Sequence, residues 1–315
     1  MKVIDHLSRA KEPLLSFEIV PPKRGSDFQK LEQVISDLAQ FSPPFIDVTS
    51  HAAEDDNKFG KSRRKRPGTL GICAVIQHKY KIDAVPHVLC HGFTREETED
   101  FLVELNYLGI RNVLALRGDK TNHQKPILDG RSKNEYAVDL VKQIADMNKG
   151  KYLEDQPEAV PSDFCTGVAG YPETHFEAPH ATADLRHLLE KVDAGAEYIV
   201  TQMFFDNKHY FNFVKRCQDQ GITVPIIPGL KVLTSKEQLT TLPEKFYLNL
   251  PSELTQQVQQ AQNKEEVTEV GIRWALKQAE ELCNHNVPAV HFYVMGNSAP
   301  VTEVIKRLRR KIVEI

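Results

Sequence analysis

Glu18 stands inside Leu14-Leu15-Ser16-Phe17-Glu18-Ile19-Val20-Pro21-Pro22, a stretch whose apolar, β-rich residues read as a buried strand halted by two prolines. A carboxylate there takes the place of an apolar core side chain, and glutamate is rarely buried without a partner or a task. Further polar residues fall at the ends of later apolar runs: Thr49, His87, Arg117 with Asp119, Tyr171 with His175, Gln202 and Tyr293. Singly, each has an ordinary reading: Thr49 a helix cap, His87 a satisfied core histidine, Arg117 and Asp119 a local ion pair, Tyr171 a rim aromatic. Jointly they describe a polar pocket. The set offers no Ser nucleophile elbow, no P-loop and no cluster of three His or carboxylate ligands. His87, Cys90 and His91 are close in sequence, but a strand points His87 and Cys90 to opposite faces and no second Cys/His pair follows, so no metal is expected. One acid, an Arg-Gly-Asp corner, and aromatic and amide groups suit a bound organic cofactor that carries the hard step.

The elements that must position these residues follow from periodicity. After the Glu18 strand, Leu31, Val34, Ile35 and Leu38 form the stripe of an amphipathic helix, and Phe45-Ile46-Asp47-Val48-Thr49 reads as a second strand. A polar, loop-like segment and a weaker helical stretch around 71–80 precede a third strand, Ala84 to Leu89. Thr94 and Glu97 form a capping box for the helix carrying Phe101, Leu105 and Leu108. Val113 to Leu116 is strand four, and Ala137, Leu140, Val141 and Ile144 mark the next helix. The polar segment 147–163 reads as an irregular surface insertion. Thr166 to Gly170 is strand five, followed by a helix with Leu185, Leu188, Leu189 and Val192 that Gly195 closes. Strands six (198–204), seven (224–229) and eight (289–293) follow, each with a helical stripe after it. Strands alternating with helices imply a parallel sheet, and this number of units over roughly 300 residues points to a (β/α)₈ TIM barrel. A doubly wound sheet would show a Gly-rich first turn, which Pro21-Pro22-Lys23-Arg24-Gly25 is not.

Composition narrows the function classes. With 41% hydrophobic and 26% charged residues the chain has the make-up of an ordinary soluble globular protein. A net charge of −3 gives no reason to expect nucleic acid or an anionic membrane as partner. The basic run 61–66 precedes Pro67-Gly68 and is expected to be a solvated loop. No apolar run is long enough to span a bilayer, and residues 1–13 lack the apolar core of a secretory signal. Five scattered cysteines with no C-x-x-C pair fit reduced thiols in a cytoplasmic protein.

Six stretches, in one order along nearly the whole chain, resemble the signature blocks of the methylenetetrahydrofolate reductase family. They are Ser16 to Pro22, Ala115-Leu116-Arg117-Gly118-Asp119, Ala169-Gly170-Tyr171-Pro172-Glu173, Thr201 to Asp206, Ile226-Ile227-Pro228-Gly229 and His291-Phe292-Tyr293. The resemblance implies a single FAD-binding (β/α)₈ barrel over residues 1–315, corresponding to the catalytic domain alone. It implies NADH or NADPH as co-substrate, 5,10-methylenetetrahydrofolate as substrate, and a homo-oligomer. It also implies two half-reactions at one site, in which the nicotinamide reduces FAD and the folate then takes the hydride.

By the same resemblance Glu18 is the general acid that protonates folate N10, with a pKa raised by burial. Asp119 is a carboxylate near flavin and folate. Thr49, His87, Arg117, Gly118, Asp119, Tyr136, Ala137, Tyr171, His175, Asp184, His187 and Lys191 fall on FAD-contact positions, and Gln202 and Tyr293 on substrate-side positions. Lys236 and Ser298 stand where the enterobacterial form has Phe and Arg. Two rival readings are a proline-dehydrogenase-like flavin barrel and a non-catalytic flavin- or folate-binding barrel. The first lacks a pair of arginines to clamp an amino acid; the retained Glu18 and Asp119 argue against the second.

Overall fold

The computed structural model describes residues 1–56, 61–119, 123 and 125–313. Helix α1 (Val3–Arg9) leads into β1 (Leu14–Ile19), α2 (Phe28–Ala39) and β2 (Phe45–Val48). A small antiparallel ribbon, β3 (Glu54–Asp56) with β4 (Lys61–Arg63), precedes α3 (Thr69–Val75), which runs on into a π-helical turn at Ile76–Tyr80. Then come β5 (Asp83–Leu89), α4 (Arg95–Tyr107), β6 (Asn112–Leu116), α5 (Ala137–Met147), β7 (Cys165–Gly170), α6 (Ala181–Asp193), β8 (Tyr198–Thr201) and α7 (Asn207–Asp219). Two short strands, β9 (Ile226–Ile227) and β10 (Gly229–Leu230), are followed by α8 (Gln238–Phe246), α9 (Ser252–Gln260), α10 (Lys264–Asn284), β11 (Ala289–Met295) and α11 (Ala299–Val313).

The nine parallel strands run in the order β10-β11-β1-β2-β5-β6-β7-β8-β9. β9 and β10 flank Pro228 in one run of chain, and each pairs with a different neighbour, β8 and β11. Proline has no N–H to give the ladder, so the predicted seventh strand breaks in two there while the barrel closes around it. The Pro228 carbonyl still accepts from His291 N at 2.9 Å. The eight expected strand positions are therefore all present, with helices on the outside.

Alternation along the strands separates two cores. Phe17, Ile19, Ile46, Val48, Val88 and Val113 point outward under the helices, while Phe45, Val85, Leu114, Cys165, Tyr198, Val200, Ile227 and Ala289 fill the barrel. Helix α1 plugs the N-terminal end. Val3 joins the interior cluster and its N–H donates to Asn112 Oδ1 at 2.8 Å, while the terminal ammonium and His6 both reach Asp83. That end is closed by apolar packing, which leaves the opposite end for chemistry.

Several expectations need correction. The basic run is not all loop: Lys61–Arg63 forms β4, antiparallel to Glu54–Asp56, and Lys65, just beyond it, pairs with Glu54 at 2.5 Å. Strand six ends at Thr201 rather than Phe204: the Gln202 N–H makes a last bond to the Gly170 carbonyl of β7, and Asp206 then caps α7. The long connection after strand seven holds α8 and α9, whose Leu242, Leu254 and Val258 form a second small core with Met203 and Phe205. The segment after α5 is irregular as expected, yet pinned. Asn148 takes the N–H of Phe164 and the Ser162 hydroxyl on Oδ1 and gives its own N–H to the Phe164 carbonyl, and Glu99 receives Leu153 N. No described helix is long and apolar enough to cross a membrane.

Candidate active site

The register of the sheet explains how the acid is placed. Glu18 pairs with Asp47 on one side and with Tyr293 on the other, and Ser16 pairs with His291. In-register residues of parallel strands share a face, so these side chains enter the barrel together above its apolar layer. His87, from β5, joins them with Nε2 3.4 Å from Glu18 Oε2 and 3.8 Å from Asp47 Oδ2. Ser16 Oγ lies 2.9 Å from His291 Nδ1, and the His291 ring meets Tyr293 edge-on. The Tyr293 hydroxyl donates to the Thr201 carbonyl at 2.6 Å, and Lys231 Nζ donates to the Tyr293 carbonyl at 3.0 Å.

Burial sets the protonation of this group. It pushes the Glu18 carboxyl up to about 8 against the opposing pull of Lys231, and raises Asp47 well above the carboxylate range, with Glu18 adding to the effect. It also drives His87 and His291 down to about 3 and Lys231 down to about 8. The interior therefore favours neutral acids and neutral imidazoles. A proton held on a carboxyl near neutral pH is what a general acid requires.

Gly229 is the residue that makes room. A Cβ there would lie 2.4 Å from the Thr201 carbonyl oxygen and 2.6 Å from the Tyr293 ring, so the Pro228-Gly229 pair lets the broken strand pass beneath Tyr293.

A second group gathers around the ends of β6 and β7. Gly118 has φ +83°, which turns the chain sharply between Arg117 and Asp119. The Arg117 guanidinium sits over the Tyr136 ring, 5.0 Å from its centroid, and pairs with Glu177. Tyr171 and His175 meet edge to face, Asp184 accepts the His175 N–H at 2.9 Å, and Lys191 Nζ donates to the Ala169 carbonyl at 2.8 Å. Ala137 opens α5 directly after Tyr136. Burial lowers Lys191 to about 8, with Asp184 opposing that shift. Asp119 is exposed at the rim.

His187 is the one expected position that the structure does not gather in: its side chain is 58% exposed and paired with Glu190 at 3.1 Å. Gln202 lies at the end of β8, its amide oxygen accepting from Met203 N at 2.9 Å. Ser298 is buried and donates to Asp37, and Lys236 donates to the Gln259 carbonyl.

The residues fit a polar organic ligand laid across the strand ends. Thr49 Oγ1, just after β2, and Arg117 Nε, just after β6, are buried without a hydrogen-bond partner, with only β5 between their strands. Buried polar groups normally find partners, so orphans at a barrel mouth are groups available to a ligand. A cavity of about 360 Å³ lined by His51, Thr69, Leu70, His87 and Phe93 opens beside Thr49. Of the three metal candidates close in sequence, His87 faces the barrel interior while Cys90 packs in the outer core.

Sequence reasoning missed Asp47, Lys231, His291 and Ser16 as members of this group. Asp47 carried the same signal as Glu18, a carboxylate within an apolar strand, and the signal was read only once. Lys231 and His291 became legible only when the strands were in register.

Comparison with known proteins adds an independent observation. The family model for methylenetetrahydrofolate reductase matches residues 2–309. The 5,10-methylenetetrahydrofolate reductase of Salmonella typhimurium is 32% identical over 286 residues, covering 90% of this chain and 86% of that protein. Methylenetetrahydrofolate reductase (NADH) 1 of Arabidopsis thaliana is 29% identical over 94% of this chain, which spans about half (49%) of that longer protein. Among solved structures, an uncharacterised protein from Clostridium thermocellum that binds two copies of 5-methyl-5,6,7,8-tetrahydrofolic acid superposes with a TM-score of 0.59 over 99% of both chains. At 13% identity it speaks to the barrel fold.

Proposed function

Because the chain belongs to the methylenetetrahydrofolate reductase family, we propose that it reduces 5,10-methylenetetrahydrofolate to 5-methyltetrahydrofolate at the mouth of its barrel, with FAD as the bound cofactor, NADH or NADPH as the electron source and Glu18 as the acid. The observation that carries this reading is the buried Glu18 carboxyl, facing the strand ends between Asp47 and Tyr293. Bound FAD would supply the hydride relay between nicotinamide and folate.

The rest is the work of the chain's own residues. Thr49 and Arg117 would offer their orphaned polar groups to the cofactor, and Gly118, Tyr136, Ala137, Tyr171, His175, Asp184 and Lys191 would complete its holding site. His187, at the surface, would contribute only to an outlying part of the ligand. Gln202 and Tyr293 line the substrate side.

Opening the five-membered folate ring expels N10, which leaves far more readily when protonated. Glu18, held neutral by burial, gives its proton to N10 as the N10–methylene bond breaks. The 5-iminium cation that forms is stabilised by the negative charge of Asp119 at the rim. Hydride addition to the iminium carbon completes 5-methyltetrahydrofolate.

The test is a visible spectrum of the purified protein followed by anaerobic titration. A yellow protein bleached by NADH or NADPH and recoloured by methylenetetrahydrofolate is the expected result, and comparing the two nucleotides identifies the donor. Colour restored only by oxygen would mean a flavin enzyme with another acceptor. A colourless protein that takes up no FAD would overturn the reading.

A further inference from the structure

Lys231 follows the Pro228-Gly229 break by two residues, and the register of the sheet brings it beside the acid. Leu230 pairs with Phe292, and Phe292 with Phe17. The next residue of each chain segment, Lys231, Tyr293 and Glu18, therefore falls in one row across β10, β11 and β1. Leu230, Phe292, Phe17 and Ile19 all pack in the outer core, so alternation turns the row of Lys231, Tyr293 and Glu18 into the barrel. Lys231 Nζ is anchored on the middle strand of the three by the Tyr293 carbonyl, 3.0 Å away. The one carboxyl that acts on it, among the described residues, is Glu18.

The other titratable groups turned toward this row offer Glu18 no opposite charge. Burial holds Asp47, Tyr171, Tyr198 and Tyr293 in their protonated, neutral forms. It holds His87, His291 and His51 as neutral imidazoles near pH 7. The Tyr293 hydroxyl is spent on the Thr201 carbonyl, and His291 is engaged with Ser16. Among the described residues, Lys231 alone brings Glu18 a positive charge.

We propose that Lys231 is a positioning residue for the acid: its ammonium holds the Glu18 carboxylate that remains once the proton has passed to folate N10. This rests on Glu18 being the acid in the reaction proposed above. As the Glu18 O–H bond breaks, an N–H bond forms at N10, and the electron pair of the N10–methylene bond stays on N10. The substrate becomes an iminium cation and the matching negative charge stays on Glu18. A carboxylate left alone in that interior is costly, and a fixed cation beside it offsets the cost. One proton from water restores Glu18 when product leaves. Burial thus keeps the proton in place before the step, and Lys231 stabilises the charge after it. Without the ammonium, the acid should keep its proton to higher pH and yet give it up more slowly. A Lys231 that only braced the fold would not join these two effects.

The test reads both effects. Infrared difference spectra of the purified protein over a pH series follow the protonated-carboxyl C=O band that Glu18→Gln removes. In Lys231→Met this band should persist to a pH higher by about one unit or more. Flavin reoxidation at saturating methylenetetrahydrofolate should fall by about tenfold or more on the low-pH plateau, while flavin reduction by the nicotinamide nucleotide is unchanged. Lys231→Arg, which keeps the charge, should bring both readouts back toward wild type. A band that titrates at the wild-type pH, a maximal rate that does not fall, or an equal loss in the two half-reactions overturns the proposal. If Lys231→Met does not fold, Lys231→Gln, which retains an N–H donor for the Tyr293 carbonyl, is judged by the same criteria. A shifted band in a protein that does not turn over the folate refutes the reaction proposed above and leaves the pairing of the two charges standing.

Discussion

Lys231 donates through Nζ to the Tyr293 carbonyl at 3.0 Å, which fixes a half-buried cation beside the Glu18 carboxyl. The cation pulls the acid downward while burial pushes it up, and burial wins. Lys231→Met removes the opposing pull. The high-pH limb of folate reduction should then extend upward from about pH 8, and KM for the folate should rise as Tyr293 loses its anchor. A pH series of anaerobic half-reactions measures both.

Glu18→Gln should lower the folate half-reaction by about 10²–10⁴-fold while nicotinamide still bleaches the flavin. A variant that reduces the folate at near wild-type rate would remove Glu18 from its assigned role.

The same substitution has a stability signature. The native protein holds the Glu18 proton up to about pH 8, whereas the unfolded chain releases it near 4.5. Native stability from this site therefore falls as pH rises through that window, by on the order of 3 kcal/mol near neutrality. His87 and His291 act oppositely: their protons bind the unfolded chain near 6.5 but the native state only near 3, so their contribution rises with pH between those values. Thermal melts should show Glu18→Gln gaining on wild type at pH 8 and not at pH 4, with both losing stability as the pH falls through the histidine window.

Gly229→Ala places a Cβ 2.4 Å from the Thr201 carbonyl, a backbone atom that cannot step aside. A loss of about 1–3 kcal/mol in stability is expected, together with weaker folate binding as Tyr293 is displaced. Denaturant melts and equilibrium titration with 5-methyltetrahydrofolate would detect these separately.

Arg117→Ala removes a guanidinium that spans Tyr136 and Glu177 and leaves the latter without that charge partner. FAD should dissociate at least about tenfold more readily, seen as free flavin after gel filtration, with the far-ultraviolet circular dichroism unchanged. Retention of stoichiometric flavin would place the cofactor elsewhere.

The segment after α5 should be cut by protease only within residues 154–158, which are exposed. The nicked protein should stay folded, because Asn148, Ser162 and Glu99 hold the two ends. Fragments that separate under native conditions would contradict this.

The sequence by itself determined the class of fold and the family, and it singled out Glu18 as the candidate acid. Alternating apolar periods are local, so each strand and its helix could be recognised without neighbours, and Thr94 with Glu97 announced a capping box that forms as expected. Glu18 was conspicuous because an apolar strand is a costly place for a carboxylate.

What only the tertiary structure decided was register and company. Which residues face Glu18 depends on how Leu14–Ile19 aligns with Phe45–Val48 and Ala289–Met295, and a slip of one residue would have turned Asp47 and Tyr293 out of the barrel. The break at Pro228 and the helix α1 plug likewise depend on contacts between segments far apart in the chain. Periodicity along one strand says which faces alternate. Burial, orphaned atoms and shifted protonation belong to the assembled interior, where side chains from different strands first meet.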